Sequence, residues 1–170
     1  DVQVIGRTES LTQTFYAIAD GAVLANARSS LTAKTYSRGA NPEVTGSSPN
    51  WDTGRGWYMD IPAGEQINTD PIVAFGAVVF VGNKNGSSDC SQTSYLYLVD
   101  IGTGNAVTGQ TTISEQLSGT ATSSRVVVLR DSTGQLHGTV QLSDRTIRKT
   151  LLPLGVTIPP AKNAWREIRR

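Results

Sequence analysis

His137 is the single histidine of this chain, Cys90 its single cysteine, and Asn83-Lys84-Asn85-Gly86-Ser87-Ser88-Asp89 is a loop-like run rich in oxygen-bearing side chains. A metal site or a Ser-His-Asp triad would draw on His137, but it falls in a stretch that reads as strand with no cysteine nearby. The expectation is an ordinary strand residue. Cys90 follows Asp89 in a polar loop from Gly82 to Gln92. A nucleophilic thiol needs a basic neighbour or a helix N-terminus, and neither is visible. One cysteine cannot close an internal disulfide, so Cys90 is expected to pair with a cysteine outside this chain, in an oxidising compartment. A calcium loop needs oxygen ligands at alternating positions, and Lys84 interrupts the Asn83–Asp89 run, which therefore reads as a turn. Trp51, Trp57 and Tyr58 cluster in a chain that is 6% aromatic. They fit either a recognition patch or a core, and Trp57 is assigned to the core. No catalytic group, metal-ligand set or cofactor clamp assembles, which favours a non-enzymatic binding module.

The elements that must position these residues are strands. Pro71–Gly82 and Tyr95–Asp100 are apolar, β-branched and aromatic runs, and Phe75-Gly76 reads as a tight reversal because Gly takes positive φ cheaply. Asp100-Ile101-Gly102-Thr103-Gly104 is a second reversal, its carboxylate placed to accept backbone amides and Gly104 to take the left-handed position; a sheet edge is expected to continue through Asn105-Ala106-Val107. Asp131-Ser132-Thr133-Gly134 repeats that ending, and Gln13–Gly21 repeats the strand-Asp-Gly logic, making Tyr16 equivalent to Tyr97 and Asp20 to Asp100. Val2–Ile5, Leu31–Tyr36 and Trp57–Ile61 alternate as strands, with Pro62 stopping the last. Arg38–Asp52 reads as a long surface loop and Ser118–Ser124 as a polar linker. Gln135–Leu142 and Arg145–Leu151 are strands joined at Ser143-Asp144, Pro153–Ala161 is an extended connection, and Ala164–Ile168 is a short terminal strand. No stretch of ten residues carries apolar side chains at helical spacing, so the class is all-β.

The formal net charge of +1 over 170 residues gives no reason to expect nucleic acid as partner. A charged fraction of 17% with 17 Gly is the composition of a secreted or cell-surface β protein. No apolar run approaches the ~20 residues that span a bilayer, and Arg166, Arg169 and Arg170, mixed with Glu167, read as a solvated terminus. The chain opens on Asp1, which gives the expectation of a mature, processed or excised piece.

Leu96-Tyr97-Leu98-Val99-Asp100-Ile101-Gly102-Thr103-Gly104 is similar to the blade ending of quinoprotein-like β-propellers. Three units follow, at about residues 1–62, 63–117 and 118–170. Propellers close with roughly four to eight blades, so the remaining blades are expected from the rest of a larger chain. A partner chain or a small sandwich are the alternatives.

The chain resembles the C-terminal end of the PilC/PilY family of type IV pilus tip-associated adhesins and assembly factors. The residues that carry the resemblance are Gly56-Trp57-Tyr58-Met59-Asp60-Ile61-Pro62, Gly64-Glu65-Gln66, Thr69-Asp70-Pro71, Ser88-Asp89-Cys90-Ser91, Leu96–Gly104 and Ala164-Trp165-Arg166-Glu167-Ile168. The resemblance implies the last blades of a modified propeller in an exported bacterial protein. Such a protein sits at the pilus tip or cell surface, contacts minor pilins and a host or abiotic surface, and serves attachment and twitching motility. Trp57, Tyr58, Asp60, Asp100, Gly104, Trp165 and Arg166 would be its structural motif. The family's Asp-rich calcium loop is not found in these residues, so no cofactor is carried over. Alternatives are the end of a pyrroloquinoline-quinone dehydrogenase propeller, or a periplasmic scaffold propeller for outer-membrane assembly.

Overall fold

The computed structural model describes residues 11–19, 26–52, 55–86 and 91–154. Within these, one short helix and twelve strands follow in order: β1 (Thr14–Ile18), α1 (Ala27–Ser30), β2 (Thr32–Tyr36), β3 (Val44–Thr45), β4 (Gly56–Asp60), β5 (Glu65–Gln66), β6 (Ile72–Ala74), β7 (Ala77–Asn85), β8 (Gln92–Asp100), β9 (Ser114–Ser118), β10 (Val127–Arg130), β11 (Leu136–Gln141) and β12 (Ile147–Leu151). They form three mainly antiparallel sheets, ordered β1-β4-β2-β3, β5-β7-β8-β9 with β6 also on β7, and β10-β11-β12. The all-β expectation holds at that level. Asp20, Cys90, Trp165 and Arg166 lie outside the described residues, as do the expected strands at 2–5 and 164–168.

The β7–β8 hairpin sets the arrangement. Its strands pair over their full length, from Ala77↔Asp100 to Asn85↔Gln92. Because side chains alternate between faces, Ala77, Val79, Val81, Leu96 and Leu98 point one way, into a core with Val126, Leu136, Val140, Leu142 and Leu152. Val78, Phe80, Tyr97 and Val99 point the other way, to Ala17, Val44, Trp57, Met59 and Ile61. The middle sheet is thus covered on one face by β1-β4-β2-β3 and on the other by β10-β11-β12. Phe80 stacks between Phe15 and Tyr97, at centroid distances of 4.5 and 4.7 Å. Phe75 and Gly76 both have positive φ, 51° and 78°, as a two-residue reversal between β6 and β7 requires.

Several segments differ from their reading in sequence. Asn83, Lys84 and Asn85 are not a turn; they extend β7 and pair with β8, and Asn83 and Lys84 pair with β5 on the other side as well. The Asn83 carboxamide then meets the Ser123 backbone, donating to its carbonyl at 3.0 Å and accepting its N–H at 2.7 Å. That pairing anchors Ser118–Ser124 to the middle sheet, with Ala121 buried, so the segment is no free linker. The Arg38–Asp52 loop carries β3, and its Glu43 is 4% exposed with its carboxylate accepting the N–H groups of Ile113 and Ser114. Asn105–Val107 forms no strand; Val107 drops into the core. Tyr16 is 39% exposed and Tyr97 fully buried, so the two are not equivalent. β2 runs parallel to β4, with Thr32 opposite Trp57; a local period cannot encode a pairing between segments this far apart.

A polar network reaches into the interior from the partly exposed Arg38. Glu65 is completely buried in the space that Gly82 leaves open: a Cβ at Gly82 would lie 2.0 Å from Glu65 Oε1. Arg38 donates to Glu65 Oε2 at 2.7 Å and to the Tyr97 hydroxyl at 2.6 Å, while Tyr97 donates to Glu65 Oε1 at 2.6 Å. The guanidinium also lies 3.4 Å over the Tyr95 ring. Burial, then the adjacent Glu65 charge, pushes the Tyr97 phenol far above its ordinary value. The unfolded chain releases this proton near pH ~10 and the folded chain holds it, so ionisation favours unfolding as pH rises. In denaturant titrations the protein should lose stability above pH ~10. Tyr97→Phe should cost about 2 kcal/mol at neutral pH and show a shallower alkaline decline; an equally steep decline would remove Tyr97 as its source.

Candidate functional site

The reversal from Asp100 to Asn105 gathers more side chains than any other turn described. Asp100 Oδ1 accepts the Thr103 N–H at 2.7 Å and the Thr103 hydroxyl at 2.8 Å, the Asx arrangement the sequence suggests. Trp57, completely buried, donates its indole N–H to the Ile101 carbonyl at 2.8 Å, and Trp51 donates to the Gly102 carbonyl at 2.7 Å. Gly104 has φ +70°, and a Cβ there would lie 2.7 Å from Trp57 Cδ2 and 2.9 Å from Lys34 Cε. Trp57, Asp100 and Gly104 of the expected motif are therefore brought together, with Trp51 on the rim.

Sequence reasoning missed a further member of this cluster. Lys34 is only 4% exposed. Its ammonium donates to the Gly46 carbonyl at 3.2 Å, the Ser47 carbonyl at 2.9 Å and Asn105 Oδ1 at 2.6 Å. No carboxylate forms an ion pair with it among the described residues, and burial lowers its pKa. Its neighbours two positions away, Thr32 and Tyr36, also face inward on β2. That period-two register was the available signal.

Tyr58 and Asp60 stand on the opposite, outer face of β4. Arg28 of α1 donates to Asp60 Oδ1 at 2.6 Å and to Thr14 Oγ1 at 2.8 Å, and its guanidinium lies 4.9 Å over the Tyr58 ring. The Arg28 hydrogen bond holds the Asp60 carboxyl below the usual carboxylate range, with Thr14 adding to it. Tyr16 packs beside Tyr58 at 6.0 Å. This surface is polar, aromatic and partly exposed.

The Asp131 turn repeats the Asp100 geometry, with Asp131 Oδ1 accepting the Thr133 N–H at 2.9 Å and its hydroxyl at 2.7 Å. His137 stands on β11 and its Nε2 lies 2.8 Å from Asp131 Oδ2. Hydrogen bonds from Thr133, then His137, hold the Asp131 carboxyl well below its ordinary range. Among the described residues no three His, Cys, Asp or Glu side chains gather as a metal-binding group. A shallow cleft runs between β8–β9 and β12, with Leu96, Leu98 and Leu152 in its lining and Glu115 and Gln110 beside them.

Comparison of the chain with family models, with curated proteins and with solved structures finds no match.

Gly104→Ala should be read out at Trp57. A side chain in the left-handed region costs about 1–3 kcal/mol, and here it also strikes the indole. The variant should show a lower denaturation midpoint and red-shifted tryptophan emission; an unchanged midpoint and spectrum would mean that the turn does not hold Trp57.

Proposed function

We propose that this chain is a non-enzymatic part of a type IV pilus tip and biogenesis factor of the PilC/PilY kind, contributing blades to a larger β-propeller. The observation that carries the reading is the stacking of three sheets in chain order, face to face, with apolar side chains left on the outer faces. On the third sheet Val127, Leu129, Ile147 and Leu151 are 45%, 49%, 70% and 50% exposed, and on the first Ile18 is 46% exposed. Their register places Leu129, His137 and Leu151 side by side across β10, β11 and β12. The outer face of the third sheet, where these apolar side chains gather, calls for a neighbour, and a further blade of the same polypeptide would supply it. The twice-repeated Asp–Thr turn that closes a β-hairpin unit supports the same reading. The parallel β2–β4 pair is a departure from a simple four-stranded meander, in keeping with a modified blade.

In this reading the protein acts by presenting surface, at the pilus tip or cell surface. Minor pilins and a host or abiotic surface are its partners, and no cofactor takes part. Attachment and twitching motility follow from assembly of the tip. The Tyr16–Tyr58–Arg28 patch is one surface such contacts would use, since aromatic and Arg side chains dominate the energetics of protein interfaces.

In-frame deletion of the coding segment from the source bacterium tests this. Reduced surface piliation, loss of twitching and loss of attachment are expected, together with recovery of the native protein in sheared pilus fractions. Unchanged piliation, motility and attachment in the deletion strain would overturn the reading.

A further inference from the structure

Strand β12 stands at the edge of the third sheet and pairs on one side only, with β11. Bonded and non-bonded pairs alternate along an antiparallel ladder. The Leu142 N–H reaches the Thr146 carbonyl at 2.8 Å and the Leu152 N–H reaches the Leu136 carbonyl at 2.8 Å. The bonded positions are therefore the even-numbered ones, Arg148 and Thr150, and the N–H and C=O groups of Ile147, Lys149 and Leu151 point away from β11. Among the described residues nothing pairs with these outward groups. The edge is open, a template for one more strand.

Beside this edge lies the cleft between the second and third sheets. Its volume is about 170 Å³, comparable with the ~150 Å³ of an engineered apolar cavity that takes up benzene. Leu96, Leu98 and Leu152 line it, and Thr150 reaches across it to Glu115 of β9 at 3.4 Å. Side chains alternate along β12, so Thr150 and Leu152 face the cleft while Ile147, Lys149 and Leu151 share the outer face.

We propose that β12 receives an extended segment of a partner polypeptide as an added strand, with apolar side chains where the segment enters the cleft and a carboxylate beside Lys149. Main-chain bonds to Ile147, Lys149 and Leu151 give the attachment, and the alternate side chains give the selectivity. Charge decides against a second copy of this chain. Lys149 is exposed at the centre of β12 and forms no ion pair among the described residues. Two copies joined antiparallel about that residue would set Lys149 against Lys149, and like charges directly opposite destabilise a ladder. A segment with Asp or Glu in that place removes the conflict. The site is an edge, not the outer face that a further blade would cover, so the inference does not rest on the pilus reading.

The test is a nuclear magnetic resonance titration of the isotope-labelled, full-length protein with the synthetic peptide acetyl-Thr-Val-Glu-Val-Thr-Val-Ser-amide, and with the same peptide carrying Lys in place of Glu. The amides of Ile147, Lys149 and Leu151 should exchange freely in the protein alone and become protected on binding, with the methyl signals of Leu96, Leu98 and Leu152 shifting. The Glu peptide should bind about fivefold tighter than the Lys peptide, and Lys149→Glu, verified as native by near-UV circular dichroism, should reverse that order. No change at β12 with millimolar peptide, shifts confined to another surface, or the same preference in Lys149→Glu as in the wild type would overturn the proposal. So would protection of the three amides in the protein alone, with sedimentation telling a second copy on the edge from the chain's own residues.

Discussion

Apolar side chains on both faces of a strand pair cannot be left to water, and the β7–β8 hairpin has them along most of its length. Val79 and Val81 face one way while Val78 and Phe80 face the other, each 1% exposed or less. Burying each such side chain is worth about 1.5–3 kcal/mol relative to exposure, so the hairpin is a large concentration of stabilising burial among the described residues. That gain exists only while a sheet lies against each face. The first sheet supplies Trp57, Met59 and Ile61, and the third supplies Val126, Leu136 and Val140. Gly138 on β11 lacks a side chain where Leu96, Val126 and Leu152 converge, all within 3.4 Å of the position a Cβ would take. The third sheet can therefore lie close against the second.

Three charged groups that enter this interior are satisfied by distant segments. Glu65 depends on Arg38, Tyr97 and the room left by Gly82; Glu43 depends on the amides of Ile113 and Ser114; Lys34 depends on Gly46, Ser47 and Asn105. Each is a tie between sheets or between a sheet and a loop. Removing one partner would leave a buried charge or donor without compensation, which costs more than an ordinary surface contact contributes. The candidate site around Asp100 is built on these ties, with Trp57 belonging at once to the core and to the turn.

The strands and turns were legible in the sequence because their determinants are local. Period-two runs ending at Pro62 and Phe75-Gly76, and carboxylates three or two residues before a threonine at Asp100 and Asp131, sufficed to place most of the elements. What was not legible depends on pairing across the chain. Asn83–Asn85 looks like turn chemistry, yet the strand continues because β5 and β8 offer partners on both sides. Lys34, Glu43 and Glu65 look like surface residues until Asn105, Ile113 and Gly82 are brought to them. The four-residue helix Ala27–Ser30 carries no apolar period to detect. Of the expected motif, Trp57, Asp100 and Gly104 form one cluster, whereas Tyr58 and Asp60 serve the opposite face with Arg28, a partner that neither spacing nor composition indicated.

The central claim is that the middle sheet is the stable unit on which both outer sheets depend. Native-state hydrogen exchange, residue by residue, tests it most directly. The account predicts that the paired amides of β7 and β8 exchange only through global unfolding, whereas those of β10 and β12 exchange through lower-energy local openings. Amides of β7 and β8 exchanging as readily as those of β10 would contradict it.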